Sequence, residues 1–368
     1  MEDQSIYISG IGVNSPWGNN VEDFFKGFRN EQSEKKPLDE FLSYKKIEST
    51  EITSSMLCYT PRIDYKKYIK PLRLRKYDEY SKAGIAVSKL AIDDSSVEPN
   101  PDNTALFCTN DTISGLSAKF FGPVISKGPG FASPRLFPGV SANSASCNIS
   151  IETGLRGPTY NFGGLYGASF HSLYNAKSVL NSKKVNSGLA VSIDLFSKIQ
   201  LEAFSRFGAY KKNEDSERGI IPGEGSVAVY LTDENKDSYG KINKISQMSC
   251  YETKTYHWPK SKEKFAKFIK DFLEGEKVDI MVSLINGEEK ISTIEKYTLE
   301  NVAKLQDVKI VNVKGLIGES TSATIFSLVS ALSFPKGTKI LIPVIASGGV
   351  FGALLVESFG KGSNNNDG

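Results

Sequence analysis

Residues 157–169, reading GPTYNFGGLYGAS, constrain the fold of this chain more than any other stretch. Thr159 to Phe162 is β-prone and follows a Gly-Pro turn, and Gly163 and Gly164 stop the strand. From Tyr166 onward, Phe170, Leu173, Tyr174, Val179 and Leu180 recur at helical spacing. A strand, a glycine turn and a helix in immediate succession is the geometry of a nucleophile elbow. Such an elbow lifts one side chain out of a sheet and sets it at a helix N-terminus, where backbone N–H groups favour negative charge. The residue lifted here is Tyr166, and a phenol, titrating near pKa ~10, is a poor nucleophile. The same pattern fits an ordinary βα turn in which Tyr166 is packed.

The rest of the chain alternates between the two periodicities. Strands are predicted at 6–13, 104–108, 188–193, 242–248, 278–285, 309–313, 340–345 and 350–356, and 218–231 reads as two strands joined through Gly223 and Gly225. Helices are predicted at 20–28, 80–92, 143–153 (ended by Gly154), 265–273, 291–304 and 320–332. The alternation argues for an α/β protein in layers with a mainly parallel sheet. Residues 31–64 look like irregular surface connection, and 122–139 carry too much glycine and proline for regular helix or central strand. Residues 1–4 should fray, and 361–368 should form a disordered tail. The chain divides into residues 1–235 and a second half at 236–360.

Composition excludes several classes of function. Hydrophobic residues at 39% and charged residues at 24% are those of a globular protein, and a net charge of +3 supplies no field for nucleic acid. Cys58, Cys108, Cys147 and Cys250 have no metal-ligand spacing, which suggests a reducing compartment, and Cys147 reads as a small core residue. No apolar run reaches the ~20 residues that span a membrane, and Met1 leads into acidic residues and a strand, so the expectation is a cytoplasmic protein without a leader. Histidine occurs only at 171 and 257. A basic segment at 66–76 includes Arg73, Arg75 and Lys76; it is either a solvated face or a docking patch for an acidic partner.

Several stretches, in order along nearly the whole chain, resemble the β-ketoacyl synthases of the thiolase superfamily. The opening IYISGIGVNSPWG is similar to that family's V-x-I-T-G-x-G-x-x-S-P-x-G, and Tyr77-Asp78 after the basic segment is similar to its R-x-M-D. SPRLFP at 133–138, followed by Asn143, resembles the family's interface loop, and GLRGP at 154–158 its sequence before the elbow. RGIIPGEG at 218–225, VKGLIG at 313–318 and SGG at 347–349 resemble its D-G-F-V-x-G-E-G, K-x-x-x-G-H and G-F-G-G-T-N. The resemblance implies a thiolase-like fold: two similar βαβαβ halves in an α-β-α-β-α stack.

It also places the family's catalytic residues, and this chain lacks them. The ketosynthase cysteine falls on Tyr166. With Lys314 and Gly318 kept, one histidine falls on Glu319; the other falls near 284–286 in SLINGEE. The gating phenylalanine falls on Ser347, and the region between Ser320 and Ser347 is short for the family. Claisen condensation needs a thiolate to carry the acyl chain and two neutral imidazoles to stabilise enolate and oxyanion. A carboxylate at 319 puts negative charge where negative charge develops. His171 reads as a packed helical residue.

A kept scaffold with lost chemistry resembles the chain-length factors, or ketosynthase β subunits, of type II polyketide synthases. Many of those carry glutamine at the elbow, so Tyr166 is a departure. The resemblance implies no independent activity, no cofactor and no metal. It implies a heterodimer with an active ketosynthase, serving a polyketide or polyene chain borne by an acyl carrier protein. The interface would form through the strand from Thr159 to Phe162, with Leu136 and Phe137 near the partner's tunnel and Thr112, Ile113 and Leu116 at its far end. Arg73, Arg75 and Lys76 would dock the carrier. Two other readings stay open: an enzyme of altered chemistry, a decarboxylase or acyltransferase using Tyr166 and Glu319, and a homodimeric acyl-carrier-binding module.

Overall fold

Ten strands hydrogen-bond into one sheet, and their order repeats the same arrangement twice. The computed structural model describes residues 5–49, 51–110, 115–213, 216, 218–250, 258–346 and 348–363. Thr112, Ile113, His257, Ser347, the N-terminal fray and the tail beyond Ser363 lie outside the described residues.

The first half opens with β1 (Ile6–Asn14) and α1 (Val21–Arg29), which Asn20 caps by accepting from the Asp23 N–H. An excursion follows: β2 (Lys36–Pro37), α2 (Leu38–Lys45), β3 (Met56–Leu57) and the helical turn α3 (Pro71–Leu74). Then come α4 (Glu79–Asp94), β4 (Thr104–Asn110), α5 (Gly115–Lys127), α6 (Ser144–Thr153), β5 (Thr159–Phe162), α7 (Ala168–Asn181), β6 (Ser187–Asp194), α8 (Lys198–Arg206) and β7 (Gly225–Thr232). The second half holds β8 (Gly240–Ser249), α9 (Lys262–Leu273), β9 (Ile280–Val282), α10 (Glu289–Asn301), β10 (Lys309–Val311), α11 (Val313–Ile317), α12 (Ala323–Ala331), β11 (Lys339–Ala346) and β12 (Val350–Ser358).

The sheet order is β10-β9-β11-β12-β8-β1-β7-β6-β4-β5. In the first half β4 pairs in parallel with β5 and β6, while β7 runs antiparallel to β6 and β1. The second half repeats this with β9 between β10 and β11, and β12 antiparallel to β11 and β8. The short antiparallel pairing Ile6↔Ile242, Tyr7↔Lys241, Ile8↔Gly240 joins the halves. The sheet is therefore mixed, against the expected parallel majority. The second half shows why: Ala346 pairs with Val350, and so short a link permits only an antiparallel return.

Alternation along the strands sorts side chains into three cores. Ala105 and Phe107 of β4 face a central core built on α7 and α12 and shared by both halves, whereas Leu106 and Cys108 face an outer core under α4 and α6. A matching outer core lies between α9, α10 and the far face of β9, β11 and β12. The layers are helix, strand, helix, strand, helix, as expected. All nine residues of α12 are buried, which fits its place between two sheet faces. α4 lies so close on β1 that a Cβ on Gly12 would sit 2.0 Å from the Val87 carbonyl oxygen.

Four local expectations need correction. Residues 31–64 contain α2 and contribute Phe41, Ile52, Leu57 and Tyr59 to a small core with Leu201, Tyr210 and Ile220; their spacing is irregular because they pack on α8 and its following loop. α5 runs to Lys127 with Pro123 inside it, so one intrahelical N–H is forgone on an exposed helix. Residues 218–231 form one strand, β7; the extended stretch before it pairs with loops at Tyr210↔Ile220, Cys58↔Gly223 and Pro222↔Glu319. Cys147 is exposed, because α6 buries Ala145, Ser146 and Ile149 on another face.

Candidate functional site

β5 is the sheet's edge strand, and the chain leaves it through Gly163 and Gly164, the latter at φ 146°. A single turn at Leu165–Gly167 leads into α7. A Cβ on Gly167 would lie 2.6 Å from that of Ala346, so the turn can abut the end of β11 only with glycine there. The Tyr166 ring stacks on Trp258, with centroids 5.4 Å apart and planes 17° apart. Beneath the turn is a small cavity of about 10 Å³, bounded by Tyr166, Asp194, Phe196, Gln200, Glu319 and Thr321 among others. That volume holds about one water at most. Among the described residues neither a thiol nor an imidazole lines it.

Glu319 reaches this cavity through a turn built for it. Asn312 caps α11 by accepting from the Gly315 N–H at 2.8 Å, and Gly318, at φ 82°, turns the chain out of the helix. The Glu319 backbone then pairs across to residues 221–223, donating to the Ile221 carbonyl and accepting from the Gly223 N–H, each at 2.8 Å. Its buried carboxylate is fully engaged. Oε2 accepts from Asn286 Nδ2 at 2.8 Å and lies 3.3 Å from Lys314 Nζ, and Oε1 accepts from the Ser320 N–H at 3.2 Å. One cation and two N–H donors compensate the charge, which a buried carboxylate requires. Asn286 falls within the stretch where the sequence places the family's other histidine, so the structure bonds these two positions to each other.

His171 sits half-buried on α7 beside Phe170, its ring centroid 5.8 Å away, and does not line the cavity. Burial lowers its pKa below the usual imidazole value, which keeps it neutral.

Sequence reading missed a second buried carboxylate. Glu224 accepts from Thr60 N–H and Oγ1, both at 3.1 Å, and from the Phe196 N–H at 2.9 Å, and it pairs with Lys45 at 3.0 Å. It fastens the 31–64 excursion and the start of α8 to the sheet. Its place between two glycines in PGEG was the available signal. Asp194, at the end of β6, accepts from the Thr321 N–H at 2.7 Å and so ties the cavity's two walls together. Trp258 had no local signal at all.

The remaining candidates lie elsewhere. Leu116 is half-buried at the start of α5, and a Cβ on Gly139 would sit 2.2 Å from its Cδ2, so the 133–140 loop lies over it. Leu136 is half-buried; Phe137 is 65% exposed, its ring 5.8 Å from that of Phe120. Thr159 is exposed and Phe162 half-buried on β5, whose outer edge pairs with no strand among the described residues. Arg73 is held by Glu152 at 2.9 Å, a carboxylate that also accepts from the Tyr77 hydroxyl at 2.7 Å. Arg75 and Lys76 are exposed and make no ion pair among the described residues.

Comparison with known proteins bears on these positions. The family described as "Beta-ketoacyl synthase, N-terminal domain" matches residues 3–237. A 3-oxoacyl-[acyl-carrier-protein] synthase 2 of Vibrio cholerae is 28% identical over 49% of this chain and 43% of its own length, and one of Coxiella burnetii is 24% identical over 63% and 58%. The chain thus spans about half the length of the curated relatives it matches. Among solved structures, the ishigamide ketosynthase/chain length factor superposes with a TM-score of 0.83 at 17% identity, covering 97% of this chain and 100% of that one. A type II polyketide synthase acyl-carrier protein in complex with its ketosynthase bound to the hexaketide gives 0.74 at 15% identity, with coverage of 97% and 100%. These likenesses establish the thiolase-like fold.

Proposed function

This chain belongs to the β-ketoacyl synthase family, and from that premise we propose that it is a non-catalytic, chain-length-factor-like subunit that pairs with an active ketosynthase. One observation carries the proposal: Tyr166 caps a cavity of about 10 Å³ in which Glu319 is locked to Lys314 and Asn286. A thioester cannot form on a phenol under a stacked indole, and an oxyanion finds a carboxylate where it needs a donor. The shared cavity also speaks against Tyr166 and Glu319 as an acid–base pair, since about one water's volume admits no acyl substrate.

In this reading the chemistry belongs to the partner. The partner's cysteine holds the growing chain, and this subunit shapes the space into which it grows. The open edge of β5 can extend the sheet across the interface, and the exposed Phe121, Phe131 and Phe137 offer further apolar surface for burial. The 133–140 loop over Leu116 would then set where the chain stops, by bulk alone. Arg75 and Lys76 remain available to an acidic carrier protein. Among the described residues no helix is long and apolar enough to cross a membrane, and we place the complex in the cytoplasm with its carrier.

The test is expression of the chain alone and together with a ketosynthase encoded beside it. A one-to-one complex that condenses malonyl units, beside an isolated chain that does not, is the expected result. Condensation or decarboxylation by the isolated chain would instead establish an enzyme, and a stable carrier-binding homodimer would establish a binding module.

A further inference from the structure

Asparagine followed by glycine occurs once in this chain, at Asn286–Gly287 in the loop between β9 and α10. In such a pair the backbone nitrogen readily attacks the preceding side-chain amide, because glycine has no Cβ to shield that nitrogen or to narrow its backbone. Asparagine is accordingly one of the thermolabile residues.

The fold prepares the nucleophile, the carbonyl and the leaving group of that attack. Gly287, at φ 104°, is half-buried, and its N–H donates to no acceptor among the described residues. A Cβ there would lie 2.8 Å from the Gly219 carbonyl oxygen, so the position favours glycine twice over. Asn286 Oδ1 accepts from the Glu288 N–H at 3.1 Å. That bond closes a ring through the Gly287 nitrogen, and its donor stands where negative charge develops on Oδ1 as Cγ is attacked. Asn286 Nδ2, the leaving nitrogen, donates to Glu319 Oε2 at 2.8 Å, and the same oxygen lies 3.3 Å from Lys314 Nζ. A carboxylate beside an ammonium can hand on the proton that this nitrogen needs to depart. The Asn-Ser pairs of the chain are arranged otherwise. Ser15, Ser144 and Ser182 already donate their N–H groups to the carbonyls of Gly18, Ser141 and Ser178, at 2.9, 3.0 and 3.2 Å.

We propose that Asn286 is a site of self-catalysed deamidation whose product releases Glu319. The Gly287 nitrogen bonds to Asn286 Cγ, and its proton passes to the departing nitrogen through water or Glu319. The Cγ–Nδ2 bond breaks, ammonia leaves, and a cyclic imide remains. Water then opens the imide at either carbonyl. Cleavage of the new bond to Cγ gives aspartate, and cleavage of the bond to the Asn286 main-chain carbonyl carbon gives isoaspartate. One water is consumed and one ammonia released, with no oxidant or cofactor. Aspartate sets a carboxylate against Glu319 where an N–H donor stood, and isoaspartate reroutes the main chain through the side chain; both remove the bond that holds Glu319. Every group involved belongs to this chain, so the inference stands whether or not a ketosynthase is its partner.

The test is incubation of the full chain, folded and unfolded in urea, in mildly alkaline buffer, followed by peptide mass spectrometry and labelling with an isoaspartate-specific methyltransferase. Conversion at Asn286 is expected to be at least as fast in the folded chain as in urea, because the fold brings the reacting groups together. The Asn-Ser pairs should convert far more slowly in the same folded sample. An Asn286 that stays intact in the folded chain, or converts faster in urea, overturns the proposal. Asn286→Asp, which carries the direct product from the start, should lower the urea midpoint at unchanged slope. Asn286→Asp/Glu319→Gln, which returns one amide to the pair, should recover most of that loss. A wild-type midpoint in Asn286→Asp would mean that Glu319 stays held and overturns its release.

Discussion

Lys314→Met probes whether Glu319 is held as a structural ion pair. The substitution removes a cation 3.3 Å from a carboxylate whose side chain is 2% exposed. At an effective dielectric near 20, that separation corresponds to roughly 5 kcal/mol of attraction. Breaking a buried pair by deleting one partner costs about 3–5 kcal/mol, because the other charge stays uncompensated. The surviving donors, Asn286 Nδ2 and the Ser320 N–H, hold the expected loss to about 3 kcal/mol. Glu319→Gln is milder, about 1–2 kcal/mol, since Lys314 is 13% exposed and can turn its ammonium toward water. The double variant should recover more than about 1 kcal/mol of the summed single losses. Urea unfolding followed by circular dichroism reads this as shifts of the midpoint at constant slope. A loss below about 1 kcal/mol for Lys314→Met, or a coupling within about 0.5 kcal/mol of zero, refutes the pair as a structural element. The same Glu319→Gln variant, assayed in the ketosynthase complex, should form product within a few-fold of wild type.

Three further outcomes are expected. Leu116→Ala should lengthen the product or broaden its distribution and Leu136→Trp should shorten it, read by mass spectrometry on complexes shown intact by size exclusion; unchanged length in both intact variants removes these residues from the tunnel. Arg75→Glu/Lys76→Glu should weaken carrier-protein binding at low salt and less so at high salt, whereas unchanged affinity returns the pair to a solvated surface. Because burial lowers the His171 pKa, the unfolded chain binds the extra proton first, so this residue's share of stability is present above about pH 6.5 and is lost as pH falls below it. His171→Phe should flatten the midpoint's decline in urea titrations between about pH 7 and 5, and an unaltered slope would remove the histidine from the pH response.

What the sequence disclosed follows from how local its signals were. The elbow was readable because two glycines, a β-prone tetrapeptide and a helical stripe lie within thirteen consecutive residues. The positions of Tyr166, Lys314 and Glu319 followed from short motifs around them. The mixed sheet was not readable, since strand direction depends on how long each connection is and where it leads. Trp258 is far along the chain from Tyr166, and no periodicity announces that stack. Phe41, Leu57 and Tyr59 read as surface from sequence because they pack across the chain on Leu201 and Tyr210 and not along one element. The bond from Asn286 to Glu319 joins two loops distant in sequence, one following β9 and one following α11, and no local pattern announces their approach.

The central claim, that the elbow residue performs no chemistry, is tested most directly by Tyr166→Phe. The measurement is the rate of product formation by the reconstituted ketosynthase complex, with Tyr166→Cys run beside it. The account predicts a Tyr166→Phe rate within a few-fold of wild type, because phenylalanine keeps the stack on Trp258 and loses only a hydroxyl. It also predicts no second condensing site in Tyr166→Cys, since the sequence carries no histidine at 284–286 or at 319. A fall of more than about a hundredfold in Tyr166→Phe, or ~2.7 kcal/mol of barrier, would contradict the account and make this chain an enzyme.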